Sequence, residues 1–341
     1  MSCETEEQLY ARFAKLPRPR YPFPDLVNPH IDALARECDR WIDEDYRFNS
    51  PGARERHKRH RLTDIPARAF PQLRLAELRP VARFTSSGAM MDDYFDHSSS
   101  AEVSRARDRI MALLTGEDGA EPQDLGIYRQ FYLLRQDAMG CGMPPRLYDK
   151  FIAEIDHMLI AYQAEKQWIA ADQVPPLEVL LPIRENTSGG VPFAKYVCME
   201  QDFRTLPDTV LEHPVILRLH ALSGRLIGWH NDLISLPKEL SRRGDVVNIV
   251  LGMRHHHDMS IEEAYVAALE FHDNDLREFM SLQEHLPYFG EWHDRAQSYV
   301  RQLGIMIQGT YMWHVTNCGR YAPGAYVEPE HDSREFQWVD R

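Results

Sequence analysis

Three aspartates, Asp92, Asp93 and Asp96, crowd into the segment MMDDYFDH. On a helix Asp92 and Asp96 stand at i and i+4 and share a face, with Asp93 about 100° away. Carboxylates that point the same way repel one another, and a cation held between them removes that penalty. Their hard oxygens suit Mg2+ or Mn2+ better than zinc. The cluster closes a stretch of apolar and small residues (Phe84, Gly88, Ala89, Met90, Met91), as a site at the end of a core-facing helix would. A solvated acidic helix end has the same composition, so these residues alone leave both readings open.

Further along, NDLISLPKE places Asn231, Ser235 and Glu239 at i, i+4 and i+8. Each four-residue step drifts only about 40° around a helix, so an amide, a hydroxyl and a carboxylate form a line of oxygen ligands roughly 12 Å long. Lys238 adds a cation beside them. Pro237 inside the segment removes one helical hydrogen bond and predicts a local irregularity. An exposed polar helix face is the alternative.

The elements that must position these groups read as helices. Phe151, Ile155, Met158, Leu159 and Tyr162 recur at three- and four-residue spacing and build one apolar stripe. Ser260 and Glu263 form a capping-box pattern ahead of a second stripe through Ile261, Tyr265, Leu269, Leu276 and Phe279. A long helix is expected from Pro214 to about Arg243, closed by Gly244, and another over roughly 292–317. Period-two alternation is nearly absent, so the chain reads as all-α. GEDGAEPQD (116–124) reads as a loop, and LPRPRYPFPDLVNP (16–29) as an extended arm on the surface. No repeat or flexible linker separates two cores. One helical domain over 29–321 is expected, with an N-terminal arm (1–28) and a C-terminal tail (322–341).

Composition narrows the partners. The 341 residues carry 39 Lys+Arg against 52 Asp+Glu, a net charge of −13, which argues against a nucleic-acid backbone. Apolar residues make up 43%, enough for a large core. No apolar run is long enough to span a membrane. The opening MSCETEEQ is acidic where a signal peptide needs a cationic start, so a cytoplasmic location is expected. The five cysteines (Cys3, Cys38, Cys141, Cys198, Cys318) form no CxxC pair and read as reduced thiols.

NDLISLPKE resembles the asparagine-serine-glutamate metal-binding motif of class I terpene synthases, and DDYFD is similar to their aspartate-rich motif. Arg184, which opens RENTSG, resembles the family's diphosphate-sensing arginine ahead of a helix break. Arg320-Tyr321, in GTYMWHVTNCGRY, is similar to its terminal Arg-Tyr pair. The resemblance runs from about Asn28 to Tyr321 and is that of the single-domain microbial enzymes. It implies a helical bundle around a central apolar cavity with the two metal motifs facing each other across its mouth. It implies three Mg2+ ions, with Mn2+ as the alternative, held by Asp92 (Asp96 as a second carboxylate), Asn231, Ser235 and Glu239. Arg184, Lys238, Arg320 and Tyr321 would bind the diphosphate of a linear prenyl diphosphate. The stretch Thr187, Ser188 and Gly189 would bend as the metals bind and trigger ionisation.

The implied activity is that of a carbon–oxygen lyase: ionisation and cyclisation to a sesqui- or diterpene with release of diphosphate. Phe84 and Trp313 are candidate cavity walls. Gly88 and Ala89 stand one turn above Asp92, where many relatives carry phenylalanine, and would leave a deeper pocket. Farnesyl diphosphate is favoured as substrate, with geranylgeranyl diphosphate close behind, and the protein is expected to be a monomer or homodimer. The alternatives are a chain-elongating prenyltransferase, which typically carries two aspartate-rich motifs, or a non-catalytic prenyl-diphosphate-binding protein. A carboxylate-bridged di-iron bundle fails on its second half-site. Glu154/His157 fits one Glu-x-x-His pair, but Glu328/His331 encloses Pro329 beyond the last helix. His255–Asp258 is expected to be a solvated loop, and the basic stretch 53–62 a solvated helix face or lid.

Overall fold

The computed structural model describes residues 4–48, 50–95, 98–123, 126–200, 202–241 and 246–325. Cys3, Asp96, Arg243, Gly244, Glu328 and His331 lie outside the described residues. Among those described, the chain is helical and has no strand. The α-helices are α1 (Glu6–Phe13), α2 (Ile31–Asp45), α3 (Pro51–Lys58), α4 (Asp64–Ala69), α5 (Leu75–Phe95), α6 (Ser100–Thr115), α7 (Ile127–Gly140) and α8 (Pro145–Ala171). They continue with α9 (Leu177–Thr187), α10 (Gly190–Tyr196), α11 (Asp208–Leu211), α12 (Pro214–Leu240), α13 (Ile249–His257), α14 (Ile261–Glu284) and α15 (His293–Met312). A π-helical turn, Trp313–Asn317, prolongs α15.

Local chemistry sets several of these boundaries. Thr5 with Gln8, Ser99 with Glu102 and Ser260 with Glu263 form reciprocal capping boxes at the starts of α1, α6 and α14. Gly116 adopts a left-handed conformation after α6 and opens the expected loop. α12 runs unbroken through Pro237 and ends at Leu240, a turn short of the expected Arg243. It is the axis of the molecule, packing on α9, α10, α14 and α15. One of its faces puts Leu219, Leu222 and Leu226 into a core shared with Phe84 of α5, Phe151 and Ile155 of α8, and Leu303 and Ile307 of α15. Another buries Trp229, Leu233 and Leu236 against Leu9, Phe13, Ile249 and Tyr265. The polar members of α12 before Asn231 are accommodated individually: Arg218 and Arg225 pair with Glu278 and Asp275, and the buried Ser223 donates to Leu219 O.

Residues 17–28 form no helix and lie along the bundle, whereas the start of the expected arm folds as α1. Tyr21 anchors this segment: its hydroxyl lies 2.8 Å from His230 Nδ1 and 2.7 Å from His272 Nε2. Where α10 crosses α12, a Cβ on Gly190 would stand 2.8 Å from Gly224 Cα, and one on Gly224 2.8 Å from Glu185 O. The crossing admits no side chain.

Two readings change. His255, His256 and His257 are solvated as expected but helical, closing α13 before left-handed Asp258. The Asn248 side chain caps that helix, and its histidines sit at the negative end of the helix dipole. Within 53–62, His57 and His60 are buried rather than solvated, because the strip packs beneath the C-terminal segment. His60 Nε2 lies 3.1 Å from Ala325 O, and Gly319 N donates to Arg59 O. Cys38, Cys141, Cys198 and Cys318 are free thiols. Among the described residues no helix is long and apolar enough to cross a membrane.

Near the starts of α5 and α15, Glu200 is 5% exposed and its Oε1 has no hydrogen-bond partner among the described residues. Burial, with smaller contributions from Asp202 and Glu77, pushes its carboxyl up to about 8. A carboxyl raised in the fold binds its proton more tightly there than in the unfolded chain. Its stability contribution is therefore full below the ordinary carboxylate range and is lost as pH rises towards about 8. Glu200→Gln should flatten that slope. In denaturant melts it should gain on the order of 2–4 kcal/mol over the parent at pH 8, fading towards pH 5. Parallel pH profiles for the two proteins would refute this.

Candidate active site

One cavity collects every described residue expected above to bind metal or diphosphate, to wall the pocket or to form the helix break; Asp93, beside Asp92, does not line it. Along α5 it is lined in order by Phe84, Thr85, Gly88, Ala89 and Asp92, and along α12 by Ile227, Asn231, Ser235, Lys238 and Glu239. Both helices thus pass from apolar or small side chains to oxygen-bearing ones towards their C-terminal ends. Met158, Tyr162 and Glu165 of α8 add a third wall. Arg184, Thr187, Ser188 and Gly189 line it at the break between α9 and α10. That break is real: Gly189 takes φ +73° between Ser188, which caps α9, and the first residue of α10. Phe84 is 3% exposed and meets Phe151 and Phe193 edge to face. Trp313 reaches the cavity too, but its indole N–H donates to Arg61 O at 2.9 Å.

The C-terminal segment ties the two motifs together. Arg320 is buried and forks onto Asp93, at 2.8 and 2.7 Å, with a longer contact of 3.4 Å to Asp92. Burial opposes the guanidinium charge, but Asp93 outweighs it and holds Arg320 well above its ordinary range. Burial likewise opposes the Asp93 charge, and Arg320 nonetheless holds that carboxyl below its ordinary range. The next residue, Tyr321, accepts from Asn231 Nδ2 at 2.8 Å. Lys238 Nζ lies 6.0 Å from the Tyr321 ring centroid.

Arg184 is held across the break. It donates to Asp232 at 2.5 Å, to Thr187 Oγ1 at 3.1 Å and to Asn231 Oδ1 at 3.3 Å. The pairing is with Asp232 and not with the adjacent Glu185. Its Nε is buried and has no partner among the described residues, which is what an anion arriving from the cavity would satisfy. The oxygens form a mixed set. The Asp92 side chain is 44% exposed, Ser235 donates to Glu239 Oε1 at 2.5 Å, and Glu239 Oε2 accepts from Asn248 at 2.6 Å. Among the described residues no group of three or more His, Cys, Asp or Glu converges to hold a metal. The donor chemistry here is carboxylate, amide and hydroxyl, which fits a hard divalent cation.

Several site groups escaped the sequence reading. Glu165 lines the cavity, and burial pushes its carboxyl up to about 7, with Lys166 lowering it and Asp92 raising it. Its signal was a carboxylate continuing the apolar stripe of α8 beyond Tyr162. Tyr162 itself contacts Asp92 Oδ1 at 3.3 Å. His314, on the π-helical turn, lines the cavity beside Asn231. Asp93 and Asp232 proved to be the arginines' partners, which spacing along one helix could not show.

The family model described as terpene synthase family 2, C-terminal metal binding, matches residues 83–278. 10-epi-Cubebol synthase of Sorangium cellulosum is 27% identical over 302 residues, covering 86% of this chain and 94% of its own. The (+)-T-muurolol synthase of Roseiflexus castenholzii, described as cyclising (2E,6E)-farnesyl diphosphate, is 27% identical over 320 residues, covering 89% and 93%. Hedycaryol synthase in complex with nerolidol shares the fold at TM-score 0.70 and 20% identity, over 88% of this chain and 99% of that one. The linalool/nerolidol synthase of Streptomyces clavuligerus does so at 0.77 and 18%, over 86% and 100%.

Proposed function

We propose that this chain, which belongs to terpene synthase family 2, is a Mg2+-dependent cyclase acting on a linear prenyl diphosphate. Farnesyl diphosphate is the favoured substrate and geranylgeranyl diphosphate the second. The observation that carries this is the polarity of one cavity. Its oxygen-bearing and cationic groups gather where α5 and α12 end, and Phe84, Phe193, Ile227 and Met158 line the rest. A prenyl diphosphate has that same division between a charged head and an apolar tail.

In this reading Asp92, Asn231, Ser235 and Glu239 hold the metal ions, with Asp96 as a further carboxylate. Three Mg2+ are expected, which neutralise the diphosphate when bound. Arg184, Lys238, Arg320 and Tyr321 donate to the diphosphate oxygens, so that charge developing on the leaving group meets fixed donors. The C–O bond then breaks, the electron pair leaves with diphosphate, and an allylic cation remains. The apolar wall keeps water from that cation and folds its chain so that ring closure is intramolecular. Aromatic faces at Phe84 and Trp313 stabilise the migrating charge. Thr187, Ser188 and Gly189 form the joint through which head-group binding moves Arg184. A monomer or homodimer in the cytoplasm completes the reading.

The test is gas chromatography–mass spectrometry of products after incubating the protein with Mg2+ and geranyl, farnesyl or geranylgeranyl diphosphate in turn. A cyclic hydrocarbon or alcohol from one of them supports the reading. Absence of product from all three overturns it. Chain length has its own probe. Ala89→Phe places a ring one turn above Asp92 and should shorten the products or shift their profile. An unchanged profile would remove pocket depth as the determinant.

A further inference from the structure

We propose that His314 is a positioning residue that fixes which way round the side-chain amide of Asn231 stands. The inference rests on the reading of Asn231 as a metal ligand. An asparagine amide has one oxygen and one NH2 at nearly the same reach, and only the oxygen binds a cation. The orientation of that amide is therefore part of the site.

His314 settles it through its own tautomer. Nδ1 lies 3.0 Å from the backbone carbonyl of Thr310, which can only accept, so Nδ1 carries the proton. Nε2 is then a lone-pair acceptor, and 3.0 Å from it stands Asn231 Nδ2. The second N–H of the same amide goes to Tyr321 Oη at 2.8 Å. With both hydrogens taken on one side, Oδ1 must point the other way, where Arg184 donates to it at 3.3 Å. Once Arg184 turns to a diphosphate, His314 and Tyr321 are what continue to hold the oxygen forward.

The ring is itself immobilised. It stacks on Tyr321 with centroids 5.5 Å apart and planes 23° apart, and lies between His230 at 5.0 Å and Trp313 at 4.5 Å. The extra residue of a π-helical turn allows Trp313 to reach the backbone of His60 and Arg61 while its neighbour His314 faces Asn231.

The experiment measures Mn2+ binding by electron paramagnetic resonance in the presence of inorganic diphosphate, alongside the Mg2+ dependence of turnover. His314→Phe and His314→Leu both remove the acceptor and should weaken Mn2+ binding about tenfold or more, the scale of losing a ligand's orienting partner. His314→Gln restores an acceptor and should recover most of the loss. A carboxylate presents oxygen whichever way it turns, so in an Asn231→Asp background His314→Phe should cost nothing further. Parent-like binding by both His314→Phe and His314→Leu, or an equal loss in the aspartate background, would overturn the proposal. Asn231→Ala serves as the reference: if it too binds Mn2+ like the parent, the metal-site reading itself fails. If only Asn231→Ala is impaired, His314 has no positioning role.

Discussion

Asn231→Ala should lower kcat/KM by about 10^2–10^3-fold, the scale seen when one group aligned on a developing charge is deleted. The fold should survive. Asn231 lines the cavity and joins no apolar cluster, and its loss removes the donor to Nε2 of the half-buried His314, a cost of about 1 kcal/mol. Steady-state kinetics across a Mg2+ titration separate two outcomes. Partial rescue at high Mg2+ marks a lost ligand. A drop in activity in proportion to a drop in folded protein would mean that Asn231 is structural and would remove the α12 motif from the mechanism.

Arg320→Ala should be the most destabilising single change at the site, by about 3–5 kcal/mol, because it leaves Asp93 buried without its counter-charge. The sign of its pH dependence follows from the pair. In the parent, Arg320 holds the Asp93 carboxyl below its ordinary range, so the pair stabilises at neutral pH and loses that contribution on acidification. Without Arg320, burial is opposed only by the smaller contributions of Lys238 and His60, Asp93 takes up a proton more readily, and the deficit of the variant should shrink as pH falls. Asp93→Asn combined with Arg320→Ala should recover most of the stability at pH 7 and none of the turnover, since the donor to the diphosphate is still missing. Denaturant melts and product assays on the single and double variants check both halves. Recovery of activity in the double variant would make Arg320 a purely structural partner.

Much of this architecture was legible in one sequence, and the failures share a cause. The long helices were visible because apolar stripes repeat at the helical period, and NDLISLPKE because i, i+4 and i+8 are adjacent on a helix. The clustering of Arg184, Asp92 and Tyr321 around that line came from resemblance, since they lie on separate elements. What periodicity could not give was pairing across elements. Asp93 stood about 100° from the face that drew attention, and that rotation aims it at Arg320. His57 and His60 looked solvated amid cationic neighbours, yet packing against the C-terminal segment buries them. His314 was passed over beside the larger Trp313, because nothing in the sequence announced a π-helical turn that separates the directions of two consecutive residues.

The bare crossing of Gly190 over Gly224 has a consequence for any effort to make this scaffold produce other hydrocarbon skeletons. A seam that admits no Cβ cannot be sampled in a mutant library; nearly every codon there is a loss before product chemistry is reached. Diversity belongs instead at Thr85, Met158, Phe193 and Ile227, which face the cavity from four different helices and can change volume one methyl group at a time. Natural drift should have met the same restriction, so that lineages descended from such a chain would differ in their walls and keep the seam.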